Sequence, residues 1–146
     1  MNVAEIIAGH DGSRSALIAA SGPVTYAELR SRVASTAAGL TNAGVQPGDR
    51  VALVAGTEPN FVVGLLGALA AGAIVVPLNP GSPAPEAIRQ LNAVGPVALL
   101  AGAGYGDHAI AIASGVETIT TVGTPAGLVI DGLAELAVAG APFAPV

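Results

Sequence analysis

Lysine and cysteine are absent from the 146 residues, tryptophan is absent too, and charged side chains make up only 10% of the chain. Each absence removes a class of chemistry. Without lysine there is no phosphate-binding loop of the Gly-Lys-Ser/Thr type, no Schiff base and no Ser–Lys pair. Without cysteine there are no disulfides, no thiolate metal sites and no thiol nucleophile. Two histidines, His10 and His108, are too few for most histidine-based metal centres. The cations are Arg14, Arg30, Arg32, Arg50 and Arg89; with a net charge of −5 they do not make a nucleic-acid-binding surface. Aromatics are 3% of residues while hydrophobic residues reach 52%, so the interior is built from small aliphatic side chains. That apolar content argues against disorder, and the length suits one domain over residues 1–146.

The run Phe61 to Leu78 carries no charge and is long enough to raise the question of a membrane span. Its internal punctuation argues for a soluble core. Gly64, Gly67 and Gly72 weaken a single long helix, and the β-branched run Ile74-Val75-Val76 closed by Pro77 reads as a strand. A buried helix from about Pro59 to Ala71 followed by a buried strand to Val76 accounts for the whole run. No Lys/Arg-rich flanks orient it, and no charged region precedes an apolar stretch at the start, so we expect no transmembrane segment and a cytoplasmic setting.

The remaining pattern alternates strand and helix. Ala16–Ala20 and Pro23–Thr25 around Ser21-Gly22 predict a hairpin. Thr25-Tyr26-Ala27-Glu28 matches a capping box, and Leu29, Val33, Ala37 and Leu40 form one helical stripe ended at Gly44. Arg50–Val54 is a short buried strand. Thr57 is expected to cap the second helix, with Pro59 in its first turn. A rigid Pro77–Pro83 connection leads to a third helix opening at Ser82 or Ala84 and stopped at Gly95-Pro96. Then come a strand over Val97–Ala101, a helix over Asp107–Ala113, a strand over Glu117–Val122 and a last helix over Asp131–Val138. The pattern predicts an α/β fold: a mostly parallel sheet of tandem βαβ units with helices on both faces, plus a short N-terminal β-hairpin.

At this point the residues resemble a family. Val24-Thr25-Tyr26-Ala27-Glu28-Leu29, Ala38-Gly39-Leu40, Gly44–Leu53, Phe61-Val62-Val63, Ala68–Ala73 and Val76-Pro77-Leu78-Asn79-Pro80 resemble, in order and spacing, the N-terminus of adenylate-forming (AMP-binding) acyl-CoA synthetases. The resemblance runs from about Val24 to Leu100. It implies an ATP-dependent fatty-acid–CoA ligase or similar acid–thiol ligase that joins a carboxylic acid to AMP and then to coenzyme A, with Mg²⁺ on the phosphates. The phosphate loop, the adenine- and ribose-contacting motifs and the C-terminal lid domain with its lysine have no counterpart here. The chain is therefore expected to be the N-terminal part of the large subdomain, inactive alone, holding no catalytic or metal-binding residues, and serving as scaffold and channel wall. Self-association through exposed apolar edges is a further expectation.

Individual residues carry weaker signals. Asn79, held between Pro77 and Pro80 after a strand, is a candidate for shaping the acyl or pantetheine channel, or for satisfying its own loop backbone. Gly102-Ala103-Gly104-Tyr105-Gly106 invites an alternative, a stand-alone nucleotide-binding or interaction module. Its spacing is GxGxG, however, and Glu117 and Asp131 both miss the place of a ribose carboxylate, about 20 residues on. His10-Asp11 and Asp107-His108 are adjacent pairs whose side chains diverge. Asp49 and Arg50 either pair across a strand start or stand exposed.

Overall fold

A computed structural model of the chain describes residues 2–128 and the backbone of a two-residue strand at 134–135. The elements are the hairpin strands β1 (Ser15–Ala19) and β2 (Gly22–Thr25), then α1 (Tyr26–Asn42), β3 (Arg50–Val54), α2 (Pro59–Ala70), β4 (Ile74–Pro77), α3 (Ala84–Val94), β5 (Ala98–Ala101), α4 (Gly106–Ala113), β6 (Thr121–Thr124) and β7 (Ala134–Glu135). A 3-10 helix, Val3–Ile7, precedes them; no sequence signal had marked it, and Asn2 caps it by accepting from the Ala4 amide.

Local chemistry explains the starts and ends. The Thr25 hydroxyl accepts from the Glu28 amide at 3.2 Å and the Glu28 carboxylate accepts from the Thr25 amide at 2.9 Å, the reciprocal capping box. Two helices then end alike. After α1 the amides of Gly44 and Val45 donate to Thr41 and Leu40; after α2 those of Gly72 and Ala73 donate to Leu69 and Ala68. Both glycines sit at positive φ, 97° and 80°, which L side chains rarely adopt. The predicted cap at Thr57 is corrected. Pro59 confines its predecessor to extended backbone, so Glu58 becomes the N-cap, and no side chain satisfies that helix end.

The sheet is parallel throughout, with spatial order β4-β3-β5-β6-β7. Residues of β3 and β5 alternate between two cores. Val51, Leu53, Ala98 and Leu100 meet Leu40 of α1 and Ala68 of α2. Ala52, Val54, Leu99 and Ala101 meet Ala87 and Leu91 of α3 and Ala109 and Ile112 of α4. After Arg50, which opens β3, both strands are thus apolar at every position, as a sheet covered on both faces requires. The hairpin and the 3-10 helix add an outer layer over α1 and α2, around Leu29, Val33, Val63 and Leu66. The charge-free run divides as expected into α2 and β4, and among the described residues no helix is long and apolar enough to cross a membrane.

Three expectations change. β4 is an edge strand rather than a buried one, with Ile74 55% exposed, because the chain returns past β3 to form β5. The strand expected over Glu117–Val122 begins only at Thr121. Val116 and Ile119 turn inward beneath α3 and α4, and ladder pairing with β5 starts after the Thr120 amide reaches Val97. Within the expected helix Asp131–Val138, Ala134–Glu135 pair as a strand beside β6, where the open sheet edge offers backbone partners that a helix would forgo; the rest of that span lies outside the described residues.

Candidate functional site

From β3 the chain runs one way along the sheet to β4, and from β5 it runs the other way to β6, so the connections diverge between β3 and β5. In parallel sheets this divergence opens a crevice at the strands' carboxyl ends, the usual place for ligands. Here it lies between the β3–α2 loop (residues 55–58) and the β5–α4 loop (residues 102–105), and it holds a cleft of about 580 Å³. Ala55, Gly56, Phe61, Val62, Pro80 and Tyr105 line it, together with Thr57 and Glu58. A second concavity of about 530 Å³ lies on the other side of Thr57 and Glu58, towards the hairpin turn, with Arg32 and Asn60 in its wall.

One side chain ties the two loops. Glu58 Oε1 accepts from the Ala103 amide at 2.9 Å, across 45 positions of sequence. Beside it, a Cβ on Gly102 would collide with that carboxylate and lie 2.6 Å from Ala55 Cβ, so only glycine fits. The Gly102 amide meanwhile extends the sheet to the Val54 carbonyl at 2.8 Å. The Tyr105 ring covers Gly56, whose absent side chain would meet its hydroxyl at 3.6 Å.

This geometry bears directly on the glycine-rich loop. The amide a phosphate would seek at Ala103 already serves a carboxylate, so an entering phosphate meets a like charge. Gly104, at φ 80° with open space around it, is a turn glycine rather than a cradle. Among the described residues no group of three or more His, Asp or Glu side chains could hold a metal ion. Among the described residues, the glycine-rich loop therefore does not fit a phosphate.

Other candidates resolve into structural duties. Asn79 accepts from the Gly81 amide at 2.9 Å through its side chain, closing a turn that presents Pro80 to the cleft. Its effect on the wall is indirect. His10 stacks on Tyr26 with ring centroids 4.4 Å apart, whereas Asp11 accepts from the Ser13 amide and hydroxyl. Those two bonds, with a smaller contribution from the Arg30 charge, hold the Asp11 carboxyl below the usual carboxylate range. Asp107 lies in the exposed first turn of α4, and the buried Nε2 of His108 meets no hydrogen-bond partner among the described residues. Asp49 and Arg50 do not pair. Asp49 accepts from the Gln46 amide, and Arg50 donates to the Val94 and Gly95 carbonyls, each at 3.1 Å. Glu58 carried no site signal in the sequence and Tyr105 figured only within the glycine-rich loop, because their sharing of one cleft depends on strand order.

Against known proteins, the profile described as "AMP-binding enzyme" matches residues 5–140. The chain belongs to the AMP-binding enzyme family. It is 40% identical over 92 residues to the feruloyl-CoA synthase of an Amycolatopsis species, covering 63% of this chain and 19% of that protein. It is 33% identical over 129 residues to the L-proline–[L-prolyl-carrier protein] ligase of Streptomyces coelicolor, covering 86% and 22% respectively. In fold it superposes on a benzoate CoA ligase from Burkholderia xenovorans with a TM-score of 0.85 at 23% identity, covering all of this chain and 30% of that one. The chain thus spans about a fifth of the length of these curated relatives. The family's adenylate-forming fold agrees with the parallel sheet and hairpin described above.

Proposed function

We propose that this chain is the N-terminal part of the large subdomain of an ATP-dependent acid ligase, which joins a carboxylic acid to AMP and then transfers the acyl group to a thiol. The support is the family match over residues 5–140 together with a crevice at the sheet's divergence point that lacks phosphate-binding groups. Relatives named for coenzyme A and for a carrier protein leave the thiol acceptor to experiment; coenzyme A and a fatty or similar acyl substrate are the reading we favour.

In this role the chain's residues position rather than react. The doubly covered strands β3 and β5 hold the crevice floor rigid. Glu58, Gly102 and Tyr105 set the spacing of its walls, and the apolar lining excludes water from whatever passes along it. ATP, Mg²⁺ and the reactive lysine chemistry belong to the remainder of such an enzyme, and the protein works in the cytoplasm.

The test is ATP–pyrophosphate exchange with a panel of fatty, short-chain, dicarboxylic and aryl acids. The 146-residue chain is expected to show none, and the same chain extended through a family phosphate loop and lid is expected to show exchange with at least one acid. Robust exchange by the short chain, or none by the extended one, overturns the proposal.

A further inference from the structure

We propose that the open edge of the N-terminal hairpin is a surface for a second copy of this chain: β1 pairs antiparallel with β1 of that copy about a two-fold axis at Ile18, and two hairpins become one four-stranded sheet. The proposal stands apart from the ligase reading.

Two sheet edges of the molecule differ in what their backbones offer. At β4 the amides of Ile74 and Leu78 donate to the Asp49 and Leu53 carbonyls, each at 2.8 Å. Alternate residues of a strand turn their backbone groups to opposite sides, so Val75 and Pro77 face away from β3. Proline has no N–H, which leaves Val75 as the one outward donor of that strand. This edge is blunted against further pairing even though Ile74 is exposed.

β1 is built the other way. Its ladder with β2 runs Leu17–Val24, Ile18–Pro23 and Ala19–Gly22. Pro23 has no amide to give Ile18, so the reciprocal bonds fall to the pairs on either side, and Ile18 turns its own N–H and C=O to the open edge. Among the described residues no third strand joins this sheet. Ser15–Ala19 carries neither charge nor proline, and Ile18 is 90% exposed. A two-stranded hairpin is marginal by itself, and further strands stabilise it. The irregularity between Ser15 and Leu17 interrupts the strand there, which centres the pairing on Ile18.

Register and charge fit a second copy. With the axis at Ile18, each Ile18 amide donates to the other's carbonyl and the two isoleucine side chains meet. Leu17 comes opposite Ala19 of the second copy, over a groove of about 330 Å³ between β1 and the start of α2, lined also by Pro59 and Val62. Arg14, which is exposed, comes opposite Gly22 of the second copy. Gly22 borders a concavity whose wall carries two carboxylates, Glu28 and Glu58, against one arginine, Arg32. Symmetry therefore sets a cation against an acidic wall at both ends of the pairing.

The experiment is sedimentation equilibrium of the 146-residue chain from dilute to concentrated solution, where a monomer–dimer equilibrium is expected. Ile18→Lys should weaken the dimer at least about tenfold, because a charge on an edge strand opposes pairing. Ile74→Lys should leave it unchanged, and Arg14→Glu should weaken it several-fold. Amide spectra of the separated monomers check that each variant is folded. The chain contains no cysteine, so Ile18→Cys gives a covalent readout. A hydrogen-bonded antiparallel pair sets its Cα atoms about 5.5 Å apart, within disulfide reach. Mild oxidation should link Ile18→Cys chains in pairs and leave Ile74→Cys chains single. A monomer at every concentration, a dimer disrupted by Ile74→Lys but not by Ile18→Lys, or no disulfide at position 18 overturns the proposal. So does a chain extended to the length of its relatives that stays monomeric with the Ile18 amide protected, since the rest of the enzyme then covers the edge. ATP–pyrophosphate exchange reports on the ligase reading separately, so failure of one is visible without the other.

Discussion

The two ends of the sheet use similar chemistry to opposite effect. At the amino end, polar side chains close the loops onto one another. Arg50 donates to the carbonyls of Val94 and Gly95 at the end of α3, Asp49 caps its own turn, the Gly48 amide reaches the Gly72 carbonyl at 2.9 Å, and Pro47 packs on Gly72. At the carboxyl end, among the described residues, one side-chain bond, from the Ala103 amide to Glu58, joins the β3–α2 and β5–α4 loops. An arginine meeting carbonyls uses up the space between loops. A carboxylate meeting one amide holds two walls together and leaves a cleft beside it. Closed loops and an open cleft are thus separated along the strand axis, with the doubly buried strands between them.

Substitutions can test that separation. The largest effect is expected at the carboxyl end, where Gly102→Ala forces a methyl group against Ala55 and the Glu58 carboxylate. Overpacking of this kind costs about 1–3 kcal/mol. Urea denaturation should show it, and Ala103 should lose exchange protection as Glu58 is displaced. An unchanged denaturation midpoint would mean that the close approach is not real.

Arg50→Ala probes the other end. Losing two hydrogen bonds from a half-exposed charged group should cost about 1 kcal/mol. Exchange protection of the Ala103 amide should not change. If Arg50→Ala exposes Ala103 as the change at Gly102 does, the two ends are coupled and the contrast fails.

The smallest effect concerns Asp11, far from either end and fully exposed. Its folded pKa lies below the ordinary value of 3.8, chiefly through the Ser13 amide and then the Ser13 hydroxyl. A depressed carboxylate adds stability that is present above the unfolded pKa and is lost as pH falls through the folded one. Its share of stability should therefore fade as pH falls below 3.8. Carboxyl resonances should show Asp11 titrating below that value, and Ser13→Ala should move it back up. Titration at the ordinary value in the unaltered chain would remove the Ser13 turn from the account.

Much of the local structure was legible in advance because its causes are local. The Thr25–Glu28 capping box spans one helical turn, and the endings at Gly44 and Gly72 need only a left-handed residue at the right offset. The stripe of Leu29, Val33 and Leu40 follows from helical periodicity, and the apolar run Val51–Val54 of β3 follows from burial on two faces. Misreadings gathered where a neighbour far along the chain decides the outcome. β6 starts late because Val116 and Ile119 are drawn into the core under α3 and α4. The Thr57 misreading is of another kind and local: Pro59 two residues on shifts the helix boundary, so Glu58 takes the cap position.

By itself, then, the sequence determined the elements from β1 to α4, their order and the chemistry this chain lacks, since these depend on residue type within a turn or two. Tertiary structure alone decided that β5 pairs with β3 and leaves β4 at the edge. That same choice brings Glu58 to Ala103 and Tyr105 over Gly56. The physical reason is that a parallel crossover can place its strand on either side of the sheet. Only the packing of α1 and α2 on one face and α3 and α4 on the other selects the side, and with it the site.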